Sequence, residues 1–196
     1  AQSQTSYVHE HMMSDFGLYT FPAFGYNNIW AMAVRKDTAD KDNLKKVSDL
    51  EPYAGDMQLG TDPTFPDYPG QGYKELCATY GFKFKKVVPM DLGLLYRALK
   101  NDEVDAAVVY STDGRNKAMD FVLLEDDKAF NPPYYSITVS RRDFLDKHPE
   151  IEEAVNKLGG IITDVDMIAL NAKVDVEHEE AAQVARDFLK AKGLIK

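Results

Sequence analysis

The chain has 196 residues, of which 44% are hydrophobic and 28% charged, and this balance is typical of a globular protein with one domain or two small lobes. Its formal net charge of −9 argues against binding to nucleic acid or anionic membranes and slightly favours cationic solutes. The longest apolar stretches fall well short of the ~20 residues that a membrane helix needs.

Strand and helix signals alternate after a polar first segment with a weak helical pattern, which ends at Pro22. Ser48 is predicted to cap a short helix around residues 49–51. Gly81 is predicted to end one helix, and Asp91 and Asn101 are predicted to bound the next. The predicted strands cover residues 28–34, 57–60, 82–88, 104–110 and 121–124.

The pattern changes after Pro132-Pro133, where a strand at residues 134–140 is followed by three predicted helices. The first begins at His148-Pro149, the second at the capping-box-like Thr163–Asp166, and the third runs from about residue 179 to 192. Strand–helix alternation with short connections predicts βαβ units, a mainly parallel sheet and the α/β class.

Aromatic residues stand out at predicted strand ends. Trp30 lies in the first strand, Tyr110 ends a buried one, and Tyr134 follows two prolines that restrict the backbone. Parallel sheets bind ligands at the carboxyl ends of their strands, and aromatic faces attract a cation that cannot donate hydrogen bonds. The alternative is that these rings are ordinary core and strand residues.

No pattern supports catalysis or a cofactor. Ser111 lies in Tyr-Ser-Thr-Asp-Gly and not in a Gly-x-Ser-x-Gly elbow, and residues 69–72 lack the lysine and spacing of a phosphate loop. The lone Cys77 is predicted to be a buried, inert thiol. Four scattered histidines, without cysteines at ligand spacing, give no zinc site.

Several segments in order resemble the osmoprotectant-binding proteins of ABC transporters for glycine betaine, carnitine and choline. The similarity runs from about Phe24 to the end of the chain. The segments that carry it are residues 25–35 (GYNNIWAMAVR), 80–85 (YGFKFK), 90–96 (MDLGLLY), 110–114 (YSTDG), 123–135 (LLEDDKAFNPPYY), 173–177 (KVDVE) and 184–190 (VARDFLK).

The resemblance implies a type II periplasmic-binding-protein fold, with two α/β lobes that close about two hinge strands. Residues 1–50 would form a remnant of the first lobe and a hinge strand, 51–131 the second lobe, and 132–196 the return strand and C-terminal helices. Trp30, Tyr110 and Tyr134 would form an aromatic cage with Asn28 as polar neighbour. Permease subunits would be the partners, and the location would be extracytoplasmic: lipoprotein, permease-fused or periplasmic.

Two departures from the family qualify this expectation. Members carry an N-terminal stretch that has no counterpart here, so the first lobe is expected to be incomplete, or to be completed by a second copy in a homodimer. A fragment with an assembly role and no small ligand is the alternative function. In addition, residues 61–72 lack the arginine that clamps a carboxylate in many relatives, which favours choline over glycine betaine and carnitine.

Overall fold

The computed structural model describes residues 4–196. Within them, no helix combines the length and the apolar character that a membrane crossing requires. The helices are Gln4–Phe16 (α1), Lys36–Asp42 (α2), Tyr73–Tyr80 (α3), Leu92–Lys100 (α4), Gly114–Ala118 (α5), Arg142–Leu145 (α6), Pro149–Asn156 (α7), Asp164–Asp175 (α8) and Ala181–Ala191 (α9). The strands are Leu18–Thr20 (β1), Trp30–Arg35 (β2), Gln58–Thr61 (β3), Lys86–Pro89 (β4), Ala106–Tyr110 (β5), Phe121–Leu124 (β6) and Val139–Arg141 (β7).

The main sheet has five strands in the order β4-β3-β5-β2-β6. Strand β3 pairs in parallel with β4 and β5, whereas β2 pairs antiparallel with both β5 and β6. The α/β class is confirmed. Four of the five strands run in one direction, as expected of a mainly parallel sheet, but β2 runs against them, which was not expected.

The core is divided between the two faces of this sheet. Met32 and Val34 on β2 belong to one buried cluster, and Ala33 between them belongs to the other. Successive side chains of a strand point to opposite faces, so a strand covered on both sides reads as a continuous apolar run.

The sheet also bears on the predicted division of the chain. Strand β2 lies within residues 1–50, which were expected to belong to the first lobe and hinge, yet it is hydrogen-bonded between β5 and β6 of the second. The five-stranded unit therefore draws on both sides of the boundary predicted near residue 51. A separate two-stranded sheet pairs β1 with β7 antiparallel.

Several local predictions are confirmed by cap geometry. Gly81 ends α3 in the left-handed conformation, at φ 85°, and the Asp91 carboxylate accepts a hydrogen bond from the Gly93 N–H at the start of α4. At the start of α8, Thr163 and Asp166 form the reciprocal capping box. These signals depend only on neighbours in sequence, which is why they can be predicted locally.

Other local predictions are wrong. Ser48 is not a cap: the turn is a 3-10 helix at Val47–Leu50, and the Asp49 carboxylate accepts from the backbone N–H groups at its start. Regular pairing covers only β4 of the strand predicted at 82–88, and only β7 of that predicted at 134–140. Cys77 is half-buried and not fully buried.

The backbone of helix α8 lies close to the backbone of α5. A Cβ on Gly114 would lie 2.3 Å from the Ala172 nitrogen and 2.4 Å from its Cα. Beside this contact, the Asn171 side chain donates to the Thr112 carbonyl at 2.8 Å. Glycine is therefore required sterically where the C-terminal helices meet the end of β5.

We predict that Gly114→Ala lowers the free energy of unfolding by about 1–3 kcal/mol, because the added methyl group must push the two backbones apart. Urea unfolding followed by circular dichroism measures the loss. Gly55→Ala is the matched control, since a Cβ there meets nothing within 4 Å. Equal stability of the two variants would show that the α5–α8 contact is dispensable.

Candidate ligand-binding site

The candidate site begins with the register between β2 and β5. Trp30, the first residue of β2, lies directly opposite Tyr110, the last residue of β5. Directly paired residues place their side chains on the same face of a sheet, so these two rings are neighbours. Because β2 is antiparallel, its amino end lies at the carboxyl ends of the other strands, the edge where open α/β sheets bind ligands.

Two segments run side by side past this edge, one leading into β2 and the other into β7. The Asn28 N–H donates to the Tyr134 carbonyl at 3.2 Å, and the Tyr134 N–H donates to the Asn27 side-chain oxygen at 2.6 Å. The pairing continues toward β1 and β7, where the Phe24 N–H donates to the Ser136 carbonyl and the Phe21 N–H donates to the Thr138 carbonyl. Although much of this stretch is not regular strand, its hydrogen bonds hold Tyr134 beside Asn28.

All four residues predicted for the site line one cavity of about 230 Å³. The cavity lies where the segments after β3 and β6 meet the end of β5 and the start of β2. Its lining residues are Asn28, Ile29, Trp30, Thr64, Tyr68, Gln71, Tyr110, Pro132 and Tyr134. None of them carries a charge, so the cavity wall is aromatic and neutral-polar.

The Trp30 ring is held by edge contacts with its neighbours. Its centroid lies 5.1 Å from that of Phe65 and 5.0 Å from that of Tyr68, each at an interplanar angle of 85°. Such T-shaped pairs are a favoured aromatic geometry. The Trp30 indole N–H is buried without a hydrogen-bond partner among the described residues, so a purely structural role would be served better by an apolar ring.

The polar side of the cavity is tied to a hydrogen-bond network. Gln71 donates to the Asn131 side-chain oxygen at 2.9 Å, and the Asn131 amide group donates to Asp126 at 3.0 Å. Asp126 also accepts from the Tyr80 hydroxyl and from the Phe130 N–H. Burial by itself would raise the pKa of the Asp126 carboxyl, but the hydrogen bonds from Tyr80, Asn131 and Phe130 together outweigh it and lower the pKa.

Some cavity residues escaped prediction. Tyr68 and Gln71 line the cavity but are not among the residues predicted for the site. Both follow β3, which ends at the same sheet edge as β5. The two glycines that flank Gln71 in Gly70-Gln71-Gly72 are the signal that could have indicated a built loop at this place.

Ser111 is engaged in holding the site together. Its hydroxyl donates to the Asn27 carbonyl and accepts from the Ile29 N–H, each at 3.1 Å. Both bonds brace the entry to β2, which gives this serine a structural role. Within residues 4–196, no three His, Cys, Asp or Glu side chains are grouped so as to hold a metal ion.

A second cavity, of about 320 Å³, lies among the C-terminal helices and contains none of the predicted site residues. Its walls are mostly aliphatic side chains of α8, α9 and the segment 158–162, together with the rings of Phe24 and Phe188. Asn171 is its one polar lining residue. This cavity offers no set of polar groups with which to orient a small ligand.

Known proteins resemble the chain over most of its length. It is 41% identical to the carnitine transport binding protein OpuCC of Listeria monocytogenes over 169 residues. This aligned region covers 86% of this chain and 55% of that protein. The chain is 33% identical over 190 residues to the glycine-betaine-binding protein of Pseudomonas aeruginosa, covering 91% and 61%. The chain thus spans little more than half the length of these curated relatives.

Solved structures give the same result. A structure titled as that of a glycine betaine/carnitine/choline ABC transporter superposes with a TM-score of 0.88 at 37% identity, over 99% of this chain and 72% of that one. The predicted periplasmic-binding-protein fold is confirmed by this likeness. Residues 3–191 match the family model described as the substrate binding domain of the ABC-type glycine betaine transport system, and the chain belongs to that family.

Proposed function

We propose that this chain is the substrate-binding part of an ABC importer for quaternary ammonium osmolytes, and that the 230 Å³ cavity holds the ligand. The observation that carries the proposal is the convergence of Trp30, Tyr110 and Tyr134 with Asn28 in one uncharged cavity. Membership of a family of substrate-binding domains supports binding for transport over catalysis.

The chemistry of the ligand class matches this wall. A trimethylammonium group carries a diffuse positive charge and no N–H, so it cannot donate hydrogen bonds to carboxylates or carbonyls. Aromatic faces attract such a cation by ~0.5–2 kcal/mol per ring. Trp30, Tyr110 and Tyr134 are the proposed cage, and Tyr68 adds a fourth ring beside Trp30. Asn28 is the proposed polar contact, fixed by the Thr112 hydroxyl, which donates to its Oδ1 at 2.8 Å.

Among quaternary ammonium compounds the cavity favours choline over glycine betaine and carnitine. A ligand carboxylate must lose its hydration on entering, which is costly unless a cation or several donors replace the water. The cavity lining contains no lysine or arginine, and the segment 61–72 after β3 contains neither. The hydroxyl of choline is far less costly to desolvate.

The setting follows from the same proposal. Permease subunits of the importer would receive the ligand, and the protein would act outside the cytoplasm as a lipoprotein, a permease-fused domain or a periplasmic protein. The paired segments that carry Asn28 and Tyr134 link β1 and β7 with the five-stranded sheet, and they are the proposed hinge. Closure about it would bring rings from separate segments onto the ligand.

The first test is Trp30→Ala. We expect choline affinity, measured by isothermal titration calorimetry, to fall at least about tenfold, because both the cation–π contact and the support for Tyr68 are lost. Circular dichroism before and after the substitution controls for folding. Unchanged affinity in a folded variant would exclude Trp30 from the cage.

Adjacent tyrosines provide a matched pair for the second test. Tyr134 and Tyr135 are both exposed, at 71% and 50%, but only Tyr134 lines the cavity. Tyr134→Ala is expected to weaken choline binding by about three- to tenfold, whereas Tyr135→Ala leaves it unchanged. Equal effects of the two substitutions would mean that Tyr134 does not contact the ligand.

The third test compares ligands on the unmodified protein. Choline is expected to give saturable heat at concentrations where glycine betaine, carnitine and ergothioneine, the compounds named in several relatives, give less. Stronger binding of a carboxylate-bearing compound would overturn the choline preference. No heat with any of them, together with a gel-filtration mass of two chains, would favour the assembly alternative.

A further inference from the structure

The orientation of Gln71 can be worked out from its neighbours. Asp126 receives hydrogen bonds on both carboxylate oxygens, one set from Tyr80 and Phe130 and the other from Asn131. A carboxylate used in this way only accepts, so the Asn131 amide must turn its NH₂ toward Asp126. Its oxygen then faces Gln71 and requires a donor.

Gln71 must therefore turn its own NH₂ toward Asn131. The Nε2 to Oδ1 distance of 2.9 Å agrees with this arrangement. Gln71 also lines the cavity. Its Oε1 atom is not used in the contact with Asn131, so both lone pairs of this oxygen can accept hydrogen bonds. Asp126, two hydrogen bonds behind the wall, thus keeps the Oε1 atom of Gln71 out of the Asn131 contact, so that this oxygen can accept from a ligand.

Thr64 is oriented by a second carboxylate. Asp62 is 7% exposed, and its Oδ1 accepts from the backbone N–H of Thr64 at 2.6 Å and from that of Phe65 at 3.1 Å. The Thr64 hydroxyl contacts the same oxygen and must donate to it. Its single proton is thereby committed, so toward the cavity Thr64 can only accept.

We infer that Thr64 and Gln71 form an acceptor wall, which selects a quaternary ammonium ligand bearing a hydroxyl donor, and that Asp62 and Asp126 are the positioning residues that set its polarity. The inference rests on the proposed function and deepens it. The preference for an alcohol then has a second cause besides the lack of a lysine or arginine in the lining. The lone pairs on this wall repel a carboxylate and accept a hydrogen bond from a hydroxyl.

The test compares choline with two probes in calorimetric titrations. Ethyltrimethylammonium lacks the oxygen, and choline methyl ether keeps the oxygen but has no proton to donate. Both are expected to bind the unmodified protein about three- to tenfold more weakly than choline, the range of one net hydrogen bond. If the methyl ether binds like choline, the wall donates instead of accepting and the inference is overturned.

Variants locate the effect. Gln71→Leu and Thr64→Val together should abolish the preference for choline, so that the ratio of choline to ethyltrimethylammonium affinity falls to about one. Gln183→Leu is the matched control, because the Gln183 side chain is exposed on α9, where it donates to the Asp187 carboxylate at 2.9 Å, and does not line the cavity. A preference that survives the double substitution would mean that the hydroxyl is read elsewhere, and would overturn the inference.

The positioning role has its own readout. Asp126→Asn introduces a donor behind the wall, so the Asn131 and Gln71 amides are free to reverse and present an N–H to the cavity. The ratio of choline to ethyltrimethylammonium affinity should fall toward one, while a merely structural defect would weaken both ligands alike. An unchanged ratio in a folded variant contradicts the role of Asp126.

Failure of the inference and failure of the proposed function give different results. If the unmodified protein binds all three cations equally, the aromatic site stands and the acceptor wall is wrong. If it binds none of them, the proposed function itself is wrong.

Discussion

The antiparallel pairing of β2 with β5 is the interaction on which the rest of the site depends. It sets Trp30 opposite Tyr110 at the edge of the sheet, with one ring at a strand start and the other at a strand end. It also brings the segment before β2 to the place where Asn28 pairs with Tyr134. A shift of the register by one residue would turn Trp30 to the opposite face and disperse the cavity.

Charge is kept close to the cavity but out of its lining. The cavity wall is neutral, while Asp62 and Asp126 lie behind it and act through Thr64, Asn131 and Gln71. A carboxylate in direct contact would attract any cation, including ammonium and metal ions. In the proposed function, the rings select instead for a large, weakly hydrated cation, and the oriented hydroxyl and amide groups contact the rest of the ligand.

Sequence reasoning succeeded where the signal was local and where several motifs resembled one family. Gly81, Asp91 and the Thr163–Asp166 box were predicted because a cap involves only a few consecutive residues. Trp30 and Tyr110 were noticed at strand ends, but their role came from the resemblance, since tyrosine and tryptophan are also ordinary strand residues. Their convergence in one cavity agrees with that assignment.

The misses share a cause in long-range pairing. The direction of β2 depends on partners 70 or more residues away, and Gln71 gains its meaning only through Asn131, 60 residues further along the chain. Likewise, the two paired segments at Asn28 and Tyr134 are joined by scattered backbone bonds, so periodicity at 134–140 overstated the strand. None of these pairings can be predicted from the short sequence segment that contains one of the two partners.

The most direct measurement of the central claim is a calorimetric comparison of choline with 3,3-dimethyl-1-butanol. This alcohol has the same shape and the same hydroxyl, but an uncharged carbon replaces the nitrogen. If the rings recognise a cation, choline binds at least about tenfold more tightly than the neutral compound. Equal affinity would show that the cavity recognises only an apolar shape, and would contradict the assignment of an aromatic site for quaternary ammonium ligands.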